Sequence, residues 1–252
     1  MSERPRVVLT NDDGIESPGL RALAHPLADT FDLVVAAPAT DMSGSGTGIG
    51  RIDRSGVELA EADLDGIKAY TIAGPPGLAV MAAALGAFGR VPELVVSGIN
   101  AGVNTGHSII HSGTVGAALT ARTFRSRGLA ISLAQSDPWH WETAAAIGAA
   151  ASRWLIDRQS TPHVLNINVP GVPVEEVEGI HWADLDEFGY FRVANADLPD
   201  RRLQFVVSSA SSGSDPASDT ALCARGYVAV TPLSTIAPAP FPDVNAATIW
   251  SA

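Results

Sequence analysis

The sequence predicts an α/β protein built on a doubly wound, mostly parallel sheet, with an extended antiparallel region at its C-terminal end. Three observations carry this reading. Short, almost wholly apolar runs such as "RVVLT", "DLVVAAP" and "ELVV" recur without in–out alternation, as strands buried on both faces require. Stretches with helical spacing separate them. From about Gly171 the pattern changes, and "YFRVAN", "LQFVVSSA" and "YVAVTPL" read as antiparallel strands or a hairpin arm. The division is therefore expected between a core over residues 1–170 and a C-terminal hairpin region over 171–252.

Taken in order, "RVVLTN" (Arg6–Asn11) is a β-branched strand that stops at a turn signal. "SPGLRALAHPLADT" places Leu20, Leu23 and Leu27 on one helical face, with Ser17 as N-cap ahead of Pro18. "DLVVAAP" (Asp32–Pro38) is the second strand, and Pro75–Gly89 reads as a helix with proline first and glycine last. "ELVVSGIN" (Glu93–Asn100) is a strand, Ser112–Gly128 a helix and "LAISLA" the strand after it. A long helix, "WETAAAIGAAASRWLIDR", then leads to the strand "HVLNINVP". Beyond it, "SSASSGSDPASDT" reads as a mobile loop, and "IAPAPFPDV" as an irregular tail or a segment packed on a partner.

Composition narrows the function. With 46% hydrophobic and 17% charged residues in 252, the chain can bury a substantial core. A net charge of −11 argues against general nucleic-acid binding. The opening "MSERPRVVLT" lacks a signal-peptide pattern and no apolar run approaches a membrane span, so a cytoplasmic protein without membrane attachment is expected. The single cysteine, Cys223, excludes an intrachain disulfide and a cysteine-based zinc site, and reads as a small buried thiol. Lys68 is the only lysine, so an anionic substrate must be met by arginine, backbone N–H groups or a metal.

In an open parallel sheet, ligands collect outside the carboxyl ends of the strands. Three polar segments fall at such ends: Asn11–Asp12–Asp13, Ser43–Gly50 and Ser97–Asn104. Two adjacent carboxylates can turn toward one point only where the strand has ended, which Gly14 permits. They then need a shared proton or a cation, and a hard divalent ion suits their oxygens. "NDDG" reads equally as a turn with a helix-capping role. In "SGINAGVNTGHSIIHSGTVGAA", Asn100 and Asn104 offer amides, and Ser112, Gly113 and Thr114 open a helix whose free N–H groups can hold an anion. Capping by Ser112 fits the same position. His107 and His111 lie near enough in sequence to assist a proton transfer. "MSGSGTGIG" fails the dinucleotide fingerprint because Ile49 stands where glycine is required, which disfavours a nicotinamide-dependent oxidoreductase. The absence of G-x-S-x-G disfavours a serine hydrolase.

Six ordered blocks, "VVLTNDDGIESPGL", "VVAAPATDMSGSG", "ELVVSGINAGVNTG", "HSGTVGAA", "LNINVP" and "GYVAVTPL", resemble the SurE family of metal-dependent 5′/3′-nucleotidases, over nearly the whole chain. The resemblance implies a Rossmann-like core and a C-terminal region used in homodimer or homotetramer assembly. It implies one divalent ion, Mg²⁺ or Mn²⁺, held by Asp12, Asp13, Ser43 and Asn100, with Asp12 or Asp13 also acting in catalysis. Asn11, Asn104, Ser112, Gly113 and Thr114 are the corresponding candidates for phosphate and substrate.

The departures are local. The family's G-T-P-x-D-C is "GPPGLA" here, the tyrosine before "SGTV" is His111, "AxEG" is "ALTA", and the second loop ends in Gly48 and Gly50. The expected activity is hydrolysis of nucleoside 5′- or 3′-monophosphates by an acid-type phosphomonoesterase. A dedicated phosphatase for a specialised phosphorylated metabolite, and a non-catalytic metal- or nucleotide-binding homologue, are the competing readings.

Overall fold

The computed structural model describes residues 3–52, 55–158, 163–187, 189, 191–197, 204–209 and 215–235. The "IAPAPFPDV" segment, and residues 210–214 of the Ser/Gly/Asp-rich stretch, lie outside them. The described elements are β1 (Arg6–Thr10), α1 (Pro18–Ala28), β2 (Asp32–Pro38), β3 (Leu59–Leu64), β4 (Ile67–Ile72) and α2 (Pro76–Ala84). They continue with β5 (Leu94–Ala101), α3 (Gly113–Thr123), β6 (Arg127–Leu133), α4 (Trp141–Ile156) and β7 (Val164–Val169). β8 (Gly179–Trp182), β9 (Phe191–Asp197), β10 (Gln204–Ser209), α5 (Asp219–Ala224) and β11 (Tyr227–Leu233) complete the order.

Nine strands form one sheet in the order β3-β4-β2-β1-β5-β6-β7-β11-β8. From β4 to β7 every neighbouring pair is parallel. Val7 and Leu9 of β1 turn toward Leu20, Leu23 and Leu27 of α1 and Ala144 and Leu155 of α4. Val8, between them, joins Val34 and Ala36 against α2 and α3 on the other face. Helices thus cover both faces, which is why these strands lack polar alternation. The order reverses between β1 and β5, leaving a crevice at their carboxyl ends.

Local chemistry explains the boundaries. Ser17 caps α1 as expected, its Oγ accepting from the Leu20 N–H at 3.4 Å. The helix expected over Ser112–Gly128 is shorter: α3 ends at Thr123, Arg125 takes a left-handed φ of 66°, and Gly128 already belongs to β6. Gly128 is a packing residue, since a β-carbon there would strike the Ala118 carbonyl oxygen of α3. The antiparallel β3–β4 pair was not expected from the sequence, although its turn, Asp65–Gly66 at φ 54° and 86°, is a strong hairpin signal.

At the far side, β11 pairs antiparallel with β7 and parallel with β8, so both extend the main sheet. β9 and β10 form a separate antiparallel pair. The end of the expected mobile loop is ordered: Ser218 caps α5 and both Ser218 and Asp219 are buried. Asp219 accepts backbone N–H groups from Gly106, Asp186 and Thr220, which holds this short helix in place.

Candidate active site

β1 delivers Asn11, Asp12 and Asp13 to the crevice. The Asn11 amide donates to the Gly14 carbonyl at 3.1 Å and to Ser17 Oγ at 2.6 Å, tying the turn to the start of α1. Asp12 is only 3% exposed, and its Oδ1 accepts the hydroxyl of Thr114, which is fully buried on α3. The same hydroxyl lies 3.3 Å from Asn100 Oδ1, while the Asn100 amide nitrogen donates to the Gly102 carbonyl at 2.7 Å. One threonine therefore joins the end of β1 to the end of β5.

Asp13 is half-buried beside Asp12. Burial, then the Asp12 charge and to a lesser extent Asp41, push its carboxyl up to about 6, against a hydrogen bond from the Ala101 N–H that favours the ionised form. Desolvation disfavours the ionised form, and a neighbouring carboxylate adds to it.

The loop after β2 crosses the head of α3. The Met42 N–H donates to the Asp12 carbonyl at 2.7 Å, and the Gly46 N–H to the His111 carbonyl at 3.2 Å. A β-carbon on Gly116 of α3 would strike the Gly46 carbonyl oxygen, so loop and helix meet backbone to backbone. Ser43 is exposed, its N–H and hydroxyl both donating to Asp41 Oδ1 at 2.7 Å. Ser45, two residues on, has a buried Oγ with no hydrogen-bond partner among the described residues.

Asn104 sits at the other wall. Its N–H donates to Asn168 Oδ1, and its carbonyl accepts from the amides of Asn166 and Asn168, each at 2.8 Å. Its side-chain nitrogen reaches Ser132 Oγ at 2.9 Å. Ser112 caps α3 by accepting from the Val115 N–H at 3.2 Å, with Gly113 and Thr114 as the first helical residues. His107 and His111 are exposed on the 3-10 turn Gly106–His111.

Sequence reasoning passed over Asn166, Asn168, Ser132 and Ser45. The two asparagines had a legible signal: "LNINVP" carries amides at alternate positions, hence on one face, of an otherwise apolar strand.

The residues fit a hard divalent cation. Asp12, Asp13, Asn100 and Ser43 offer only oxygen, the donor class Mg²⁺ and Mn²⁺ take. The hydroxyl proton of Ser43 and the amide of Asn100 are already engaged, leaving oxygen lone pairs to accept a cation. Burial and the Asp12 charge raise the Asp13 carboxyl, and a cation between the two would offset both. A β-carbon on Gly113 would lie 2.5 Å from Ser45 Oγ and 2.7 Å from Asp12 Oδ2, so the head of α3 packs directly against the second loop and Asp12, with no room for a side chain at 113.

Comparison with known proteins agrees with this architecture. The family model described as "Survival protein SurE" matches residues 7–191. The chain is 35% identical over 239 residues to the 5′-nucleotidase SurE of Pseudomonas entomophila, covering 90% of this chain and 91% of that protein. It is 38% identical over 187 residues to that of Rubrobacter xylanophilus, covering 69% of each. The crystal structure of the SurE protein from Aquifex aeolicus superposes with a TM-score of 0.77 at 27% identity, covering 91% of this chain and 93% of that one. The match across the sheet and the carboxylate-bearing crevice has one meaning: this chain belongs to the SurE family.

Proposed function

We propose that the protein is a divalent-metal-dependent phosphomonoesterase that releases phosphate from nucleoside 5′- or 3′-monophosphates. The observation that carries this is the convergence of Asp12, Asp13 and Asn100 at the β1–β5 crevice, beside the N-terminus of α3. Bound there, Mg²⁺ or Mn²⁺ would polarise a phosphate oxygen and lower the pKa of an attacking water. Asp12, Asp13, Ser43 and Asn100 are the residues to hold it.

The chain's own groups supply the rest. Thr114 fixes the Asp12 carboxylate by donating to Oδ1 and so leaves Oδ2 to face the site. The first-turn N–H groups of α3 present positive potential to the phosphate in a protein of net charge −11. Asn104, held by Asn166, Asn168 and Ser132, gives the opposite wall a rigid position. Asp13, beside Asp12 and held by the Ala101 N–H, is the group to take a proton from the water.

A second reading, a phosphatase for a specialised metabolite, is favoured by one feature. The second loop is rich in glycine, and Ile49, Ile52 and Ile110 are exposed on the second loop and the 3-10 turn that flank the site. The C-terminal region is assigned to homo-oligomer assembly, and the protein to the cytoplasm. No helix among the described residues is long and apolar enough to cross a membrane.

The test is phosphate release from a panel of nucleoside 5′- and 3′-monophosphates and other phosphoesters. It is run with Mg²⁺ or Mn²⁺, with EDTA, and with Asp12→Asn beside the parent. Metal-dependent release from nucleotides that the substitution abolishes is the expected result. Release only from a non-nucleotide ester selects the second reading, and no release with metal bound overturns both.

A further inference from the structure

At the carboxyl ends of three neighbouring strands, polar residues form a row on the α3 face of the sheet. In register, Asn100 of β5 stands beside Ser132 of β6, and Ser132 beside Asn168 of β7. Ile131, Leu133, Ile167 and Val169 turn into the core on the opposite face, so Ser132 and Asn168 point toward α3. Asn100 does the same, its Oδ1 lying 3.3 Å from the Thr114 hydroxyl. Neighbouring strands are about 4.8 Å apart, which sets the spacing of the row. Ser132 and Asn168 are fully buried, whereas Asn100 and Asn104 are half-buried.

Asn104 lies along this row. Asn168 alone meets both of its backbone groups, accepting its N–H and donating to its carbonyl, each at 2.8 Å. A loop that needed only its main-chain groups satisfied would be complete at that point. Two more bonds go beyond that need. The amide of Asn166 donates to the same carbonyl at 2.8 Å, and Ser132 Oγ accepts from the Asn104 side-chain nitrogen at 2.9 Å. Asn166 is fully buried, and its Oδ1 has no hydrogen-bond partner among the described residues. Thr231, its register partner on β11, does not supply one, since its own Oγ1 is unpaired as well. A buried acceptor without a partner is destabilising, and valine in the same strand would not carry that cost. The surplus bonds share one effect: they fix the Asn104 side chain over Ser132, one strand from Asn100.

We propose that Ser132 and Asn166 are positioning residues for phosphate binding, acting through Asn104. They hold its amide at a set distance from Asn100, so the group that meets a phosphate oxygen and the group that meets the metal stay in register with the sheet. Ser132 takes one N–H bond of the Asn104 amide, which leaves the other to donate to the phosphate. This rests on the phosphomonoesterase reading for its ligand class. The phosphate is common to every monoester, so the effect does not depend on the leaving group.

The experiment compares the parent with Ser132→Ala, Asn166→Val and Asn104→Ala, and with each of the first two combined with Asn104→Ala. Inorganic phosphate affinity is measured by calorimetry at saturating Mn²⁺, Mn²⁺ affinity by electron paramagnetic resonance without phosphate, and metal-free stability by thermal melting. Ser132→Ala and Asn166→Val are each expected to weaken phosphate binding about fivefold, as for loss of one hydrogen bond. Mn²⁺ affinity should stay unchanged, and Asn166→Val should melt no lower than the parent because an unpaired acceptor has gone. In the Asn104→Ala background neither substitution should weaken phosphate further, since both act through that side chain. A merely structural role would persist in that background. Unchanged phosphate affinity in the single variants, losses that persist without the Asn104 amide, Mn²⁺ affinity that falls with them, or a lower melting temperature for Asn166→Val overturns the proposal. Those outcomes leave the phosphomonoesterase reading standing, whereas a parent that binds no phosphate at saturating Mn²⁺ overturns both.

Discussion

Thr114 illustrates how a residue's type can be legible while its task is not. Its position at a helix start marked it for phosphate, yet its hydroxyl is buried against Asp12 and Asn100, the two strand ends that carry candidate metal ligands. Thr114→Val keeps the shape and removes that link. The expected outcome is a folded protein with Mn²⁺ affinity reduced about tenfold, since a hydrogen bond to a charged group contributes roughly 1.5–3 kcal/mol; a Mn²⁺ titration checks it. Asp13 offers a pH test. Its folded-state carboxyl, near 6 against the ordinary 3.8, binds a proton that the unfolded chain would release. In metal-free protein this group therefore disfavours the folded state above about pH 6, a penalty that fades as pH falls toward 4. Metal requires the carboxylate, so Mn²⁺ affinity should weaken as pH drops through about 6. An Asp13→Asn variant, weaker throughout, should lose that pH dependence. The paired aspartates and Asn100 were readable because polar residues closing buried strands have few other reasons to be there. The inward turn of Ser45 was not, because nothing in "MSGSG" says which serine is buried; that depends on the backbone of α3.

Elements were legible in proportion to how far local signals decide them. α1 carries its own cap, proline and apolar face, and formed as read. The end of α3 did not, because Gly128 reads as a helix stop but serves as a close-packed strand residue beneath Ala118. The β3–β4 hairpin was overlooked although Asp65–Gly66 marks its turn, since β3 alternates and is largely exposed, unlike the parallel strands. The junction between α3 and the second loop rests on glycine in the same manner. Gly116 has ordinary helical geometry, so Gly116→Ala tests the close approach alone: a β-carbon there must displace the Gly46 carbonyl. Intrinsic helix propensity favours alanine by about 1 kcal/mol, yet the protein is expected to lose roughly 1–3 kcal/mol from overpacking. Urea unfolding measures that loss. Phosphate release should fall at least tenfold, because the displaced loop carries Ser43, a candidate metal ligand.

Across the whole molecule, a buried carboxylate of α5 joins the His107 N–H bond to the Asp186 carbonyl in tying the far side of the sheet to the chain beside the site. Asp219, at the start of α5, accepts the N–H of Gly106 through Oδ2 and those of Asp186 and Thr220 through Oδ1. Gly106 follows Asn104 by two residues, so chain separated by 113 positions is joined beside a candidate phosphate-binding residue. Burial pushes the Asp219 carboxyl up and the neighbouring Asp186 adds to it, while the three N–H groups oppose the shift. A Ser/Gly/Asp-rich sequence around Asp219 reads as loop, and no local pattern reveals that its partner lies so far back. Asp219→Asn preserves size but turns an amide N–H₂ toward at least one backbone donor. Stability should fall by roughly 1–3 kcal/mol, the cost of a buried donor left without an acceptor. Inorganic phosphate affinity should fall with it, because the released Gly106 loosens Asn104, while Mn²⁺ affinity, set at β1 and β5, should hold. A variant that loses stability but binds phosphate as the parent does would mean that Asn166, Asn168 and Ser132 hold Asn104 without help from α5.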